Sequence, residues 1–332
     1  MQSPPRPRLT PAIADLRRAV RMVLPADGLV LVALSGGADS LALAAATAFE
    51  AQRAGLAAGA VIVDHGLQAG SAAVARTAAR QATDLGLAPV LIETVTVPNG
   101  SGGDGPEAHA RHARYAALER ALTESNAVAV LLGHTLDDQA ETVLLGLARG
   151  SGATSLQGMP VTSGPYLRPL LGIRRSQTRQ ACADAGLLPW EDPHNLHPAY
   201  ARVRVRETVL PVLERELGPG IAEALARTAD TLSEDAAALD QLVLERVAGI
   251  AESTEAGISV SVTALIDAPA ALRQRMIRQV VADAFGVSLA RSHTLAVARL
   301  VTHWHGQKAL DLPGVRVERQ GGRLIFSAPG HF

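Results

Sequence analysis

The 332-residue sequence predicts an α/β protein: an open parallel sheet with helices on both faces, then a helical linker and a small C-terminal domain. Short apolar runs alternate with helical stretches through the first half, the pattern of repeated βαβ units. The runs are nearly continuous rather than alternating, as strands covered on both faces require. Residues able to do chemistry fall just after those runs, where open parallel sheets bind their ligands.

The elements follow in order. Leu29–Leu34 reads as the first strand and the Ala-rich Leu41–Ala54 as the helix after it. Further strands are expected at Ala60–Asp64, Val90–Val97 and Ala127–Gly133. Asn99–Pro106, NGSGGDGP, is a loop by composition, suited to ordering over a substrate. A helix opens at Thr135 and stops near Gly150, and a Gly/Ser-rich connection runs on to Pro165. Ile173–Ala185 is helical up to Gly186, and Ala199–Glu216 is helical with an interruption at Pro211. Gly218-Pro219-Gly220 marks a boundary, giving an N-terminal domain of residues 1–216 and a second of 217–332. In the latter, Ile221–Ala251 reads as a long linking helix, with amphipathic helices at Leu272–Phe285 and Ser292–His303. Turns at Pro313-Gly314 and Gly321-Gly322 suit a hairpin over Ala309–Ser327.

Composition narrows the function classes. Hydrophobic residues make up 48% of the chain and the net charge is −1, so any nucleic-acid surface must come from local arginine clusters. Aromatics, at 3%, leave few rings to stack on bases. The single cysteine, Cys182, excludes an intramolecular disulfide and every multi-cysteine zinc pattern, and its helical setting reads as a packed core thiol. His293, His303 and His305 lack ligand spacing. No apolar run is long enough to span a bilayer, and the start, MQSPPRPRLT, has no apolar signal core. A cytoplasmic protein with no membrane partner is expected.

Chemistry concentrates in two strings. Ser35-Gly36-Gly37-Ala38-Asp39-Ser40 follows the first strand and opens a helix. Two glycines let backbone N–H groups approach an anion, and the helix N-terminus adds donors and partial positive charge. Asp39 would repel phosphate oxygens unless a divalent cation lay between, so it implies Mg²⁺. The lysine of the common nucleotide loop is missing, which argues against ordinary γ-phosphate transfer. The second string, Gly133-His134-Thr135-Leu136-Asp137-Asp138-Gln139-Ala140-Glu141-Thr142, follows the fourth strand. Thr135 and Asp138 fit a capping box, and Asp138 and Glu141, three apart, share a helical face. Each acid has an ordinary reading as a cap partner, a first-turn acid or a surface residue. Asp64-His65-Gly66 ends the second strand at the same edge of the sheet.

Taken together these strings resemble a known family. Ser35–Ser40 is similar to the S-G-G-x-D-S loop of N-type ATP pyrophosphatases, whose fold is adenine nucleotide alpha hydrolase-like. The string LGHTLDDQAETVLL with RGSG after it resembles the second signature of the tRNA(Ile)-lysidine synthetases. Further pieces match in order: VDHG at 63–66, Glu107 with Arg111 and Arg114-Tyr115, RPLL at 168–171, PWEDPHN at 189–195, and Arg202-x-Arg204-x-Arg206. The likeness is dense over residues 28–216.

The resemblance implies ATP and Mg²⁺, with L-lysine and a tRNA(Ile) bearing a CAU anticodon as substrates. The C2 carbonyl oxygen of the wobble cytidine would attack the α-phosphorus and release pyrophosphate. The lysine ε-amine would then attack C2, releasing AMP. Ser35 to Ser40, Asp64, His65 and Gly133 are thereby expected to bind the nucleotide, with Asp39 and Asp138 at the metal. Asp39, His134, Asp138, Glu141, Arg111 and Arg114 are expected near the reacting groups, the proton acceptor being open between a carboxylate and His134. Arg202, Arg204 and Arg206 are expected on the lysine carboxylate, AMP or RNA phosphates. The ordinary alternatives are a Glu107–Arg111 surface pair and scattered solvated arginines. Arg174, Arg175 and Arg179, with Arg273, Arg275 and Arg278, are weaker candidates for phosphate contacts. Many relatives carry a further C-terminal domain, which leaves tRNA recognition by residues 217–332 unexplained, and a homodimer is left open. A tRNA thiolase of the same superfamily is the nearest rival, disfavoured by the lone Cys182. A non-catalytic nucleotide- or RNA-binding module is the other, but it has no need of Asp39, Asp138 and Glu141 together.

Overall fold

The computed structural model describes residues 9–64, 66, 70–95, 106–150, 152–192, 197–255 and 257–330, without the side chains of 106–108 and 110. His65, Pro193–Asn195 and most of the loop expected at 99–106 lie outside the described residues, as does the side chain of Glu107. The chain forms two compact units, Met1–Leu232 and Ser233–Phe332.

Among the described residues, the first unit carries a six-stranded sheet in the order β3-β2-β1-β4-β6-β5. Its strands are β1 (Leu29–Ala33), β2 (Ala57–Asp64), β3 (Val90–Thr94), β4 (Ala127–Leu131), β5 (Thr162–Ser163) and β6 (Tyr166–Leu167). Pairing is parallel throughout except between the two short strands β5 and β6. Helices α1 (Pro11–Arg21), α2 (Ala38–Ala54), α3 (Ser71–Asp84), α4 (Pro106–Ser125), α5 (Leu136–Ala148), α6 (Ala153–Leu156) and α7 (Arg175–Asp184) surround it.

Both faces are covered, which explains the unbroken apolar strands. Val30, Val32, Ala60 and Ile62 pack against Leu16 and Val20 of α1, Leu41 and Ala44 of α2, Ala78 of α3 and Cys182 of α7. Leu31, Val61 and Val130 point the other way, onto Leu118, Ala121 and Leu122 of α4. Residues one apart in a strand serve opposite layers, as the strand period of two requires. From β1 the chain runs to β2 on one side, and β4 lies on the other. The carboxyl ends of β1 and β4 therefore border the crevice where strand order reverses.

Residues 201–217 form one continuous helix rather than an interrupted one. It runs through α8 (Ala201–Arg204), a π-helical turn (Val205–Val209) and α9 (Leu210–Leu217). Pro211, with no N–H to donate, falls in the first turn of α9, just after the bonding pattern changes. Helix α10 (Ile221–Ile250) follows, and its Ala222 and Ala226 pack with Leu136, Ala140, Val205 and Leu210. The compact first unit consequently continues to Leu232, beyond the Gly218-Pro219-Gly220 turn.

In the second unit the expected hairpin is part of a larger antiparallel sheet, ordered β7-β8-β11-β10-β9. The strands are β7 (Ala251–Thr254), β8 (Gly257–Ser261), β9 (Leu310–Leu312), β10 (Val315–Gln320) and β11 (Arg323–Ser327). Helices α11 (Val262–Asp267), α12 (Ala270–Phe285) and α13 (Arg291–Thr302) join it around Met276, Ile277, Val297, Val317 and Phe326.

Candidate active site

The Ser35–Ser40 loop leaves β1 and enters α2 at Ala38, so Asp39 sits in that helix's first turn. Gly36 has φ +85°, a left-handed conformation that a side chain would strain. The loop is held from within. The Ser35 N–H and hydroxyl donate to Ser40 Oγ at 3.1 and 3.0 Å, and the Ser40 hydroxyl donates to the Gly37 carbonyl at 3.0 Å. From outside, the Trp190 N–H donates to the Gly36 carbonyl at 2.9 Å. Gly37 offers no side-chain cap, so the helix start keeps free backbone donors.

Gly133 brings the fourth strand's end onto this loop. A Cβ there would lie 3.1 Å from Ser40 N and Cα and 3.2 Å from the Asp39 carbonyl carbon. Any side chain there would press on the backbone of the loop, and the glycine lets α5 start beside α2. The capping box forms as the sequence predicts: the Thr135 N–H and hydroxyl donate to Asp138 Oδ2, both at 2.8 Å. Capping uses one oxygen of Asp138 and leaves Oδ1 for the crevice.

The rim acids converge on an arginine that the motifs did not single out. Arg175, at the start of α7, places Nη2 2.7 Å from Asp138 Oδ1, Nε 3.2 Å from Asp39 Oδ2 and Nη1 3.4 Å from Glu141 Oε1. Its backbone N–H donates to Asp137 Oδ2 at 2.8 Å. The fully buried Thr178, one turn on, donates its hydroxyl to Asp39 Oδ1. Arg206 binds Glu141 through Nε at 2.7 Å and Nη2 at 3.1 Å, and its Nη2 is 3.6 Å from Asp138 Oδ1. Arg174 pairs with Asp137 and Glu223 at 3.4 Å each. Arg174 and Arg175, expected as weak candidates for RNA phosphates, are committed to acids; Arg179 lines an adjacent open groove.

Other expected residues are distributed less tightly. Arg202 donates to Thr142 Oγ1 on α5 at 3.4 Å. Arg204 turns away and donates to the Pro198 and Ala199 carbonyls, both at 2.8 Å, closing its own helix start. Arg111 is exposed on α4, its guanidinium 5.0 Å from the Tyr115 ring centre, and Arg114 is also exposed. Asp64, the last residue of β2, accepts the Gly66 N–H at 3.1 Å. His134 has a buried Nδ1 without a hydrogen-bond partner among the described residues.

Charge states follow from these surroundings. Burial raises the pKa of Asp39 above the usual carboxylate value, although Thr178 and Arg175 oppose that rise. Burial acts on Asp138 too, but Arg175 and the Thr135 donors outweigh it and hold the pKa below normal. Arg175, despite burial, is raised by Asp138, Asp39 and Glu141. Burial pushes His134 down to about 4, with the charges of Arg168, Arg111 and Arg202 adding to it, so the imidazole is neutral near pH 7. Burial, then Asp39, pushes Cys182 up to about 11, and its Sγ lies 3.4 Å from the Ala38 carbonyl oxygen. It is a core thiol, not a nucleophile.

The donor set fits a divalent ion of the Mg²⁺ kind. Asp39 and Asp138 come from different elements yet bind a single guanidinium, so one cation bridges them. Mg²⁺ is commonly held by one or two carboxylates, completed by water and substrate phosphates. Among the described residues no group of three or more His, Cys, Asp or Glu is arranged to hold a metal unaided.

A parallel sheet, a glycine-paired anion loop and acids at the strand-order reversal define a PP-loop ATP-using domain. The PP-loop domain family matches residues 13–213, and the TilS substrate binding domain matches residues 261–325. The chain is 61% identical to the tRNA(Ile)-lysidine synthase of Leifsonia xyli subsp. xyli, over 91% of each chain. It is 52% identical to that of Thermobifida fusca, over 99% of this chain and 100% of the relative. The chain belongs to the tRNA(Ile)-lysidine synthase family. In fold, it is similar to the U34-tRNA thiolase NcsA of Methanococcus maripaludis, with a TM-score of 0.57 and 21% identity over 67% of this chain and 80% of the other.

Proposed function

We propose that this protein is a ligase that joins L-lysine to C2 of the wobble cytidine of a CAU-anticodon tRNA(Ile), using ATP and Mg²⁺. The observation that carries the reading is the convergence of Asp39, from the phosphate loop, with Asp138 and Glu141, from the second signature, on one point of the rim. Family membership supports the reaction and its tRNA. The absence of any helix long and apolar enough to cross a membrane, among the described residues, agrees with a cytoplasmic setting.

Each residue's part follows from its position. The backbone donors of Gly36 to Ser40 would take the β- and γ-phosphates, where the helix dipole favours negative charge. Asp39 and Asp138 would hold Mg²⁺. That ion would neutralise phosphate charge and make pyrophosphate a better leaving group. Glu141 and Asp138 present negative charge that attracts the incoming lysine ammonium. Glu141 is fully buried and clamped by Arg206, so its contribution is to orient rather than to shuttle a proton. Neutral His134, with its unpartnered Nδ1, can accept a hydrogen bond from the amine but is a weak base at a pKa near 4. Arg202 and Arg206 lie beside α5, where the lysine carboxylate or AMP phosphate would meet them.

A thiolase reading needs a reactive cysteine, and Cys182 is buried at 1% exposure with its thiol proton firmly held. The test is covalent incorporation of labelled lysine into tRNA(Ile) with ATP and Mg²⁺. The reading predicts label in tRNA(Ile) and none in elongator methionine tRNA, which shares the anticodon. Equal labelling of both, or of neither, would refute it.

A further inference from the structure

Arg175 occupies the position that the proposed reaction assigns to a metal ion. Its Nε and Nη2 lie 3.2 and 2.7 Å from Asp39 Oδ2 and Asp138 Oδ1. A divalent ion held by these two carboxylates would compete with the guanidinium for the same oxygens. The two cannot be there together. Asp39, Asp137, Asp138 and Glu141 outnumber Arg174, Arg175 and Arg206, and moving Arg175 off the acids leaves four carboxylates facing two arginines, an excess that a divalent ion matches.

The arginine is placed to move. Its main chain is fixed at the start of α7, by its own N–H on Asp137 and by the Arg174 N–H donating to Gln177 Oε1 at 2.9 Å. Its side chain has rotatable bonds and borders an open groove of about 490 Å³, lined with Arg179, Gln180 and Arg206. A guanidinium released from Asp39 is already next to the phosphate loop, because Asp39 is part of that loop.

We propose that Arg175 is an internal counter-ion that keeps the acid cluster closed to metal, and that metal binding with ATP displaces it onto the triphosphate. The idea rests on the reading of Asp39 and Asp138 as the metal pair. Metal alone must expel the guanidinium with nothing to receive it. Metal with nucleotide gives the guanidinium phosphate oxygens as new partners, so the two ligands bind cooperatively. Arg175 is on this account a positioning residue that makes metal loading depend on ATP.

Opposite shifts in two affinities test this. Mn²⁺, replacing Mg²⁺, is titrated by electron paramagnetic resonance without nucleotide, and ATP is titrated calorimetrically with Mn²⁺ present. Arg175→Gln is expected to bind Mn²⁺ alone at least about ten-fold more tightly, since a site blocked most of the time loses affinity in proportion to its open fraction. The same variant is expected to bind ATP more weakly. Arg179→Gln, which removes a nearby positive charge without touching the acids, is expected to match the wild type.

A folded Arg175→Gln with unchanged or weaker Mn²⁺ binding overturns the proposal. So does an equal gain in Arg179→Gln, which would mean charge alone was acting. If Arg175→Gln does not fold, Arg175→Lys takes its place, with tighter Mn²⁺ binding again expected. If neither folds, the guanidinium is a structural strut and the proposal fails. Wild-type protein that binds no Mn²⁺ even with ATP would instead remove the metal pair itself, a separable result.

Discussion

The two units use arginine in different ways. At the rim of the first, Arg174, Arg175 and Arg206 face four carboxylates brought together from α2 and α5, and Glu141 among them is fully buried. In the second unit three arginines, Arg273, Arg319 and Arg323, bond backbone carbonyls instead. Arg273 donates to the Leu265, Ile266 and Ala268 carbonyls at the end of α11. Arg319 donates to Leu300 and Val301 of α13 and stacks over Trp304, and Arg323 binds Ser259 on the neighbouring strand. Charge in the first unit is concentrated and desolvated, able to exchange partners when a ligand arrives. In the second, Arg273, Arg319 and Arg323 are satisfied by nearby groups of the same unit. Arg273 and Arg275 are therefore poor candidates for RNA phosphates, since Arg275 is engaged with Asp240.

The difference can be broken most sharply within the acid cluster. Asp138→Ala removes the partner of Arg175 and the acid of the capping box at once. Breaking a buried pair from one side typically costs about 3–5 kcal/mol, and urea unfolding should show a loss of that order together with loss of ligation. Asp39→Asn should separate the two properties. The raised pKa of Asp39 means that its ionised form is less favourable in the folded protein than in the unfolded chain. A neutral amide relieves that penalty, so stability should stay level or rise while ATP-dependent adenylation is abolished. A large fall in stability for Asp39→Asn would show that its pairing, not its burial, dominates.

The next effect is one of pH. His134 falls from an ordinary value of 6.5 to about 4 on folding. Between those values the unfolded chain binds more protons than the folded one, so stability declines as pH drops from 6.5 towards 4. At about 1.4 kcal/mol per pH unit the full loss is up to about 3 kcal/mol. His134→Gln should lack this component, and its stability relative to wild type should improve as the solution is acidified. Parallel pH curves for the two proteins would refute the burial of a neutral imidazole.

Much of this was legible in the sequence, for identifiable reasons. Strands buried on both faces write themselves as apolar runs, and Thr135 with Asp138 is a local code for a helix start. Gly36 marks a left-handed turn and Gly133 a close approach of two backbones. Three features were harder to read. Helix α1 has signals that were available, Thr10 as N-cap before Pro11 and buried Ala12, Leu16 and Val20 at four-residue spacing. Strands β7 and β8 are mostly polar and part-exposed, so the apolar pattern that marks a strand is faint there. Arg175 lies 136 residues from Asp39, and no spacing rule joins them. Its only local sign is its position at a helix start after Arg168-Pro169-Leu170-Leu171, where one arginine looks like another. The interruption expected at Pro211 failed because a π-turn absorbs a missing donor without ending the helix.

The smallest effects belong to the second unit and complete the contrast. Arg273→Gln gives up charge-assisted hydrogen bonds to three carbonyls at a helix end, a loss of about 2 kcal/mol by the usual scale for such bonds. Arg275→Gln breaks a pair whose acid, Asp240, is 59% exposed, and exposed pairs contribute about 0–1 kcal/mol. If these arginines serve the fold, the first variant should lower the melting temperature and the second should barely move it. In Arg275→Gln, tRNA affinity and its salt dependence should both stay at wild-type values. An arginine on an RNA phosphate behaves otherwise: its removal lowers the salt slope by about one unit even when stability is untouched. A reduced slope in Arg275→Gln would move that residue from the scaffold to the RNA surface and bring the second unit's use of charge closer to that of the rim.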